Sequence, residues 1–213
     1  MNSDRKDTGR IALSSCLGGF VLLIMLLSSG CLGGAGGPEH RQVAPLPEDM
    51  CRIAVLPFVN DTDYLLADVI VTKVFSTQLR QSGDYLSAQD GDIYRVYRQF
   101  FLLPGEIPNL EQMQIIADRL DVDLLITGTV LEMREDRGDH GSVNPVLILD
   151  LQIRDGGNGE VLWTTYHRRS GSDYNKTMHF GTIHTVTGLS RQMAEEIINL
   201  WFEKGFSSCS ASF

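Results

Sequence analysis

The sequence predicts an α/β (α+β) fold: a single sandwich with a mixed sheet, a parallel β-α-β start, an antiparallel carboxyl-terminal meander and helices packed on the sheet. Three observations carry this expectation. Residues 52–58 are apolar at almost every position, as in a strand buried on both faces. Farther along, Leu147, Leu149, Leu151 and Ile153 alternate with Asp150, Gln152 and Arg154, the pattern of a strand with one solvated face. Near the end of the chain Val186, Leu189, Met193, Ile197 and Leu200 recur at intervals of three and four, a stripe wide enough to dock a helix on a sheet.

Each element follows in order. After the 52–58 strand, Asn60, Asp61, Thr62 and Asp63 supply turn and N-cap residues. The next helix shows two ridges, Leu66, Ile70 and Val74 beside Val71, Phe75 and Leu79, and stops at Ser82-Gly83. Residues 85–88 form a second strand, and a β-α-β unit of this length is a right-handed parallel crossover. Residues 92–103 are less decided: Ile93, Val96 and Phe100 have helical spacing, with Pro104-Gly105 as the stop. Asn109 is placed to cap a further helix, with Gln112 three residues on and Leu110, Met113, Ile116 and Leu120 along one face. A β-branched run at 123–133 puts Leu124, Ile126 and Val130 on one side, and Glu132 and Arg134 mark its emergence into solvent. The strand at 145–154 turns at Asp155-Gly-Gly-Asn-Gly159 into another at 160–166, a hairpin. In the last helix, 182–204, Arg191, Gln192, Glu195, Glu196 and Glu203 fall opposite the apolar stripe and Gly205 ends it. The order is β-α-β-α-α-β-β-β-α.

Upstream of this domain the chain reads as a processed leader. Arg5, Lys6 and Arg10 precede an uncharged run, 11–27, which ends in Ser28-Ser29-Gly30-Cys31. At 17 residues, interrupted by Gly18 and Gly19, the run falls short of the roughly 20 needed to span a bilayer. Cys31 stands where lipoprotein signals place the thiol that takes the diacylglyceryl group, although Ser28 occupies the usual leucine position. The rival readings are ordinary cleavage at the same site and an uncleaved membrane helix. Leu32 follows Cys31, and the absence of Asp there favours the outer membrane over the inner. The expected organisation is a signal peptide at 1–30, a lipidated Gly/Pro-rich tether at 31–50, a periplasmic α/β domain at 51–206 and a tail at 207–213. Two further cysteines flank the domain, Cys51 and Cys209. In an oxidising compartment they either form a disulfide or remain unrelated thiols.

Composition narrows the function classes. Without residues 1–30 the chain keeps 15 basic against 25 acidic residues, which argues against binding nucleic acid or anionic headgroups by charge. No Walker-type or dinucleotide glycine motif follows a strand, and no serine sits in a nucleophile elbow. Asp155-Gly-Gly-Asn-Gly-Glu160 lacks the alternating ligands of a calcium loop, and His179 and His184 lie five apart rather than on one helical face. The expectation is therefore no enzyme, no metal, no cofactor and no small-molecule substrate. One segment stands out: Tyr94, Arg95, Tyr97 and Arg98 interleave aromatics with arginines, a mixture enriched at protein–protein hot spots. The alternative is an amphipathic helix with solvated arginines.

Residues 52–58, the helix after them, Ala117-Asp-Arg-Leu-Asp-Val-Asp-Leu-Leu-Ile-Thr-Gly128 and the hairpin from Leu151 through Trp163 together resemble an envelope-lipoprotein domain. It is the domain of the curli-secretion (CsgG-type) and penicillin-binding-protein-activator (LpoB-type) lipoproteins and of relatives of the TolB amino-terminal domain. The resemblance covers roughly residues 52–203. It implies a membrane-anchored, periplasm-facing scaffold or activator of cell-envelope assembly that binds other envelope proteins, or a subunit of a homo-oligomeric, curli-like secretion or export assembly. The only long polar interruption between strands, 134–144, is too short to add membrane hairpins of ~9–11 residues per strand.

Overall fold

The computed structural model describes residues 36–46, 50–83, 85–138, 141–176 and 180–206. The chain divides into two units, 1–34 and 35–213, and every described residue belongs to the second. In chain order its elements are β1 (Glu39–Gln42), β2 (Arg52–Val55), β3 (Val59–Asn60), α1 (Ala67–Ser82), β4 (Leu86–Ser87), α2 (Asp90–Gln99), α3 (Leu110–Leu120), β5 (Leu124–Arg137), β6 (Val143–Asp155), β7 (Val161–Ser170) and α4 (Val186–Glu203). A short 3-10 turn, Gly171–Tyr174, follows β7.

The strands form one mixed sheet in the order β1-β7-β6-β5-β2-β4, with β3 pairing beside β2 on β5. β2 runs parallel to β4 and β5, as the β-α-β start requires, and β5, β6, β7 and β1 form an antiparallel meander. The expected fold class is the one observed.

Alternation along the parallel strands sets the layers. Ile53 and Val55 join Leu124 and Ile126 on one face, under α1 and α4. Ala54, Leu56 and Leu125 point to the other, where Ile93, Val96 and Tyr97 of α2 meet Met113, Ile116 and Ala117 of α3. On the first face Phe75 lies 5.8 Å from Phe58 and 5.6 Å, edge-on, from Trp201, tying the sheet, α1 and α4 together. Burying side chains of this size stabilises by about 1.5–3 kcal/mol each. Gly128 makes the approach feasible, since a β-carbon there would stand 2.5 Å from Leu151 and 3.0 Å from the Phe58 ring. Past α3, the second face carries Thr127, Thr129, Asp150, Gln152, Thr164 and Tyr166, half-buried or exposed.

Several elements differ from expectation. Residues 39–42, read as tether, pair with Trp163 through Tyr166 as an edge strand, and His40 stacks on Trp163 at 5.4 Å. Polarity hid this strand: all four of its residues are exposed. β5 continues to Arg137 and β7 to Ser170, because backbone pairing with β6 persists where the apolar pattern has ended. Helix α3 does start with the expected capping box: Gln112 N–H donates to Asn109 Oδ1 at 2.9 Å, and Asn109 N–H to Gln112 Oε1 at 2.8 Å.

Candidate interaction surface

The cysteines expected to carry chemistry are only partly within view. Cys31 and Cys209 lie outside the described residues, as do His140 and His179. Cys51 is disulfide-bonded, and the backbone N–H groups of Cys51 and Arg52 both donate to Asp123 Oδ2 at 3.0 Å. His184 Nδ1 lies 2.9 Å from the Val143 carbonyl, a loop contact. Among the described residues, no three or more His, Cys, Asp or Glu side chains gather to hold a metal, and no helix is long and apolar enough to cross a membrane.

The arginine-aromatic segment divides when it folds. Tyr97 turns inward with Ile93 and Val96 and is buried, which corrects its place on the expected surface. Its hydroxyl finds no partner among the described residues, and burial pushes its pKa above the usual range. Arg98 is exposed, and Arg95 pairs with Asp92 at 2.8 Å on the helix exterior. Tyr94 borders a cavity of about 180 Å³ between α1 and α2, shared with Val55, Pro57, Val69, Thr72 and Ile93. Its hydroxyl pKa is raised by partial burial and then by the charges of Asp90 and Asp68.

The start of α1 and the α2–α3 loop carry an apolar ridge that meets this cavity at Val69. The turn before α1 is closed by side chains: Asn60 Oδ1 accepts from Thr62 N–H, Thr62 Oγ1 from Tyr64 N–H, and Asn60 Nδ2 donates to the Tyr64 carbonyl. The helix therefore begins later than the Asn60-to-Asp63 caps suggested, at Leu66, which has a left-handed backbone (φ 64°) and no side-chain cap. Leu65 and Leu66 are 82% and 55% exposed. Beyond the cavity-lining Ile93 and Tyr94, α2 ends in a Schellman motif, with Leu102 N–H donating to the Tyr97 carbonyl and Phe101 N–H to the Arg98 carbonyl. The left-handed residue this motif needs is normally glycine. Here it is Phe101, at φ 56° and 92% exposed. Leu103 and Ile107 continue the exposed apolar surface. The α2–α3 loop abuts the first turn of α1, since a β-carbon on Gly105 would lie 3.5 Å from the Phe58 carbonyl and 3.8 Å from the Asp68 carboxylate.

A second cluster lies beneath α4, where sequence reading placed Glu196 in solvent. Glu196 instead reaches β7. Oε2 accepts from His167 Nε2 at 2.6 Å and Arg169 Nε at 2.9 Å, while Oε1 accepts from the Tyr174 hydroxyl at 2.8 Å. His167 and Arg169 are buried. Burial alone would raise the Glu196 pKa, but donation from His167, Tyr174 and Arg169, together with the Arg169 charge, outweighs it and lowers the carboxyl to about 2. Burial and the bond to Glu196 hold the Tyr174 phenol above its usual range. The signal was the alternation of β7 itself, continued inward past Trp163 by Thr165, His167 and Arg169.

No known family model matches the chain, and no curated protein matches it. Solved structures do. The PelC dodecamer from Paraburkholderia phytofirmans aligns with a TM-score of 0.51 at 17% identity, over 75% of this chain and 94% of that one. Lipoprotein GNA1162 from Neisseria meningitidis aligns with a TM-score of 0.50 at 14% identity, over 72% and 99%. At these identities the likeness is one of fold. The LpoB carboxyl-terminal domain from Salmonella enterica is more distant, with a TM-score of 0.42 at 15% identity over 70% and 91%. The curli, LpoB and TolB parts of the expected resemblance rest on the sequence.

Proposed function

We propose that this chain is a membrane-anchored lipoprotein facing the periplasm, held in the outer membrane by a lipid on Cys31. It acts without catalysis, as a scaffold or activator of cell-envelope assembly through protein–protein contacts. The observation that carries the reading is the apolar ridge around Phe101, an exposed surface of the kind that marks binding sites. The lipoprotein signal at Cys31 supports the location, and the fold shared with the lipoprotein GNA1162 agrees with it.

Membrane fractionation joined to amino-terminal mass analysis tests the anchor. The mature chain is expected in the membrane with a lipid mass on Cys31, and Cys31→Ala is expected to be soluble. A wild-type chain without lipid mass would make this a secreted protein. Affinity capture from membranes, with the lipidated chain as bait, tests the protein contacts. A second reading, a subunit of a homo-oligomeric secretion or export assembly, is favoured by the similarity to a chain that forms the PelC dodecamer. Crosslinking followed by mass analysis separates the two: a ladder of identical subunits favours the assembly, a constant heterologous partner the activator.

A further inference from the structure

The ridge carries more information than its exposure. Two of its members, Leu66 and Phe101, hold left-handed backbone conformations that disfavour any residue with a β-carbon. Of the other helix ends in this conformation, α1 closes on Gly83 at φ 74° and α4 is followed by Gly205 at φ 102°, while α3 ends on Asp121 at φ 53°, a short polar side chain that tolerates it. At Phe101 a large apolar side chain is kept in the glycine position and directed into water. The packing of the fold gains little from it, so its use lies outside the chain.

Charge selects what covers the ridge. Leu65, Leu66, Val69, Phe101, Leu103 and Ile107 are bordered in sequence and space by Asp61, Asp63, Asp68 and Glu106, against Lys73 and Arg98. Asp90, beside the cavity, is already paired with Arg80 at 2.9 Å. A net acidic border repels an anionic bilayer surface and opposes self-association of two such ridges face to face. It complements a basic one. We infer that the ridge formed by the start of α1 and the α2–α3 loop docks a basic, amphipathic polypeptide segment of an envelope partner. An apolar anchor from that segment enters the cavity beside Tyr94, while lysines or arginines meet the acidic border. This rests on the binding role proposed above.

Site-specific photocrosslinking in cells that make the full-length chain tests it, with p-benzoylphenylalanine placed at Phe101 and, in a separate strain, at Arg168 on the exposed face of β7. The expected adduct at 101 is a segment of another protein that carries net positive charge and apolar side chains. Its yield should fall at least tenfold in cells carrying Leu66→Asp. In vitro, Phe101→Gly should bind the identified segment at least tenfold more weakly at an unchanged or higher Tm, which separates lost recognition from lost folding. An adduct at 101 with lipid, with an acidic segment or with a second copy overturns the inference. So does an adduct at 168 with none at 101, which would leave the binding role standing. Silence at both positions counts against the inference and the binding role together.

Discussion

Beneath α4 a half-buried carboxylate and phenol meet a buried imidazole and guanidinium, whereas at the α2–α3 loop a phenylalanine and several aliphatic side chains stand in solvent. Each arrangement departs from the usual partition of polar and apolar groups, but they differ in closure. In the α4 cluster three donors converge on the two oxygens of Glu196, so the group is satisfied internally. Such a cluster fixes α4 against β7 and has little left to offer a ligand. On the ridge nothing in the described chain covers the Phe101 side chain, which stands at a position where the motif prefers glycine. Unusual chemistry by itself therefore does not locate function here. The departure that is left unsatisfied is the one proposed to bind a partner.

The largest expected effect tests the closed side of this comparison. Glu196→Ala leaves His167, Arg169 and Tyr174 without their shared acceptor, and breaking a buried charged pair of this kind costs about 3 kcal/mol. Urea unfolding would show it as a lower midpoint, and a loss below about 1 kcal/mol would mean that the cluster does not hold α4. The same group sets an acid limit. Its folded-state pKa lies near 2 against a usual 4.5, so its contribution is present above pH 4.5 and is lost as the pH falls toward 2. Unfolding midpoints measured from pH 6 to pH 2 should decline through that window, and less so in Glu196→Gln.

An effect of similar size is expected where the two ends of the domain meet. Phe206, just past α4, packs 4.7 Å from Tyr85, and the next residue, Leu86, donates its N–H to the Cys51 carbonyl. Cys51 is disulfide-bonded, and if Cys31 carries the proposed lipid the expected partner in the mature chain is Cys209. Peptide mapping without reductant should recover the Cys51–Cys209 pair. Cys51→Ser should lower stability by about 2–4 kcal/mol while leaving the ridge's binding intact. A different pairing would remove the link between the tail and the start of β2.

Legibility follows the same division. The buried parallel strands, the helix stripes and the Asn109 capping box were readable because each is a local pattern whose period or spacing is itself the cause of the structure. Edge strand β1 was not, since its four residues are all exposed and its pairing with β7 spans more than a hundred residues. Glu196 was assigned to solvent because a helical wheel records direction but not the neighbour it meets, and that neighbour belongs to β7. The segment around Tyr94 lies beside the ridge proposed to bind a partner. It named Tyr97, which is buried, and missed Phe101, whose conformation no composition reveals.

The smallest effect has the opposite sign and is the sharpest test of the open side. If Phe101 is retained for binding, the fold should improve when it is removed in the right way. Phe101→Gly restores the residue that a Schellman motif prefers and is expected to stabilise the protein by about 1 kcal/mol. Phe101→Ala removes the same apolar surface but keeps a β-carbon at φ 56°, so it should leave stability near wild type. The difference between these two variants isolates the backbone from the side chain. Equal stabilities would mean that the left-handed turn carries no cost at Phe101, and the ridge would then rest on exposure alone.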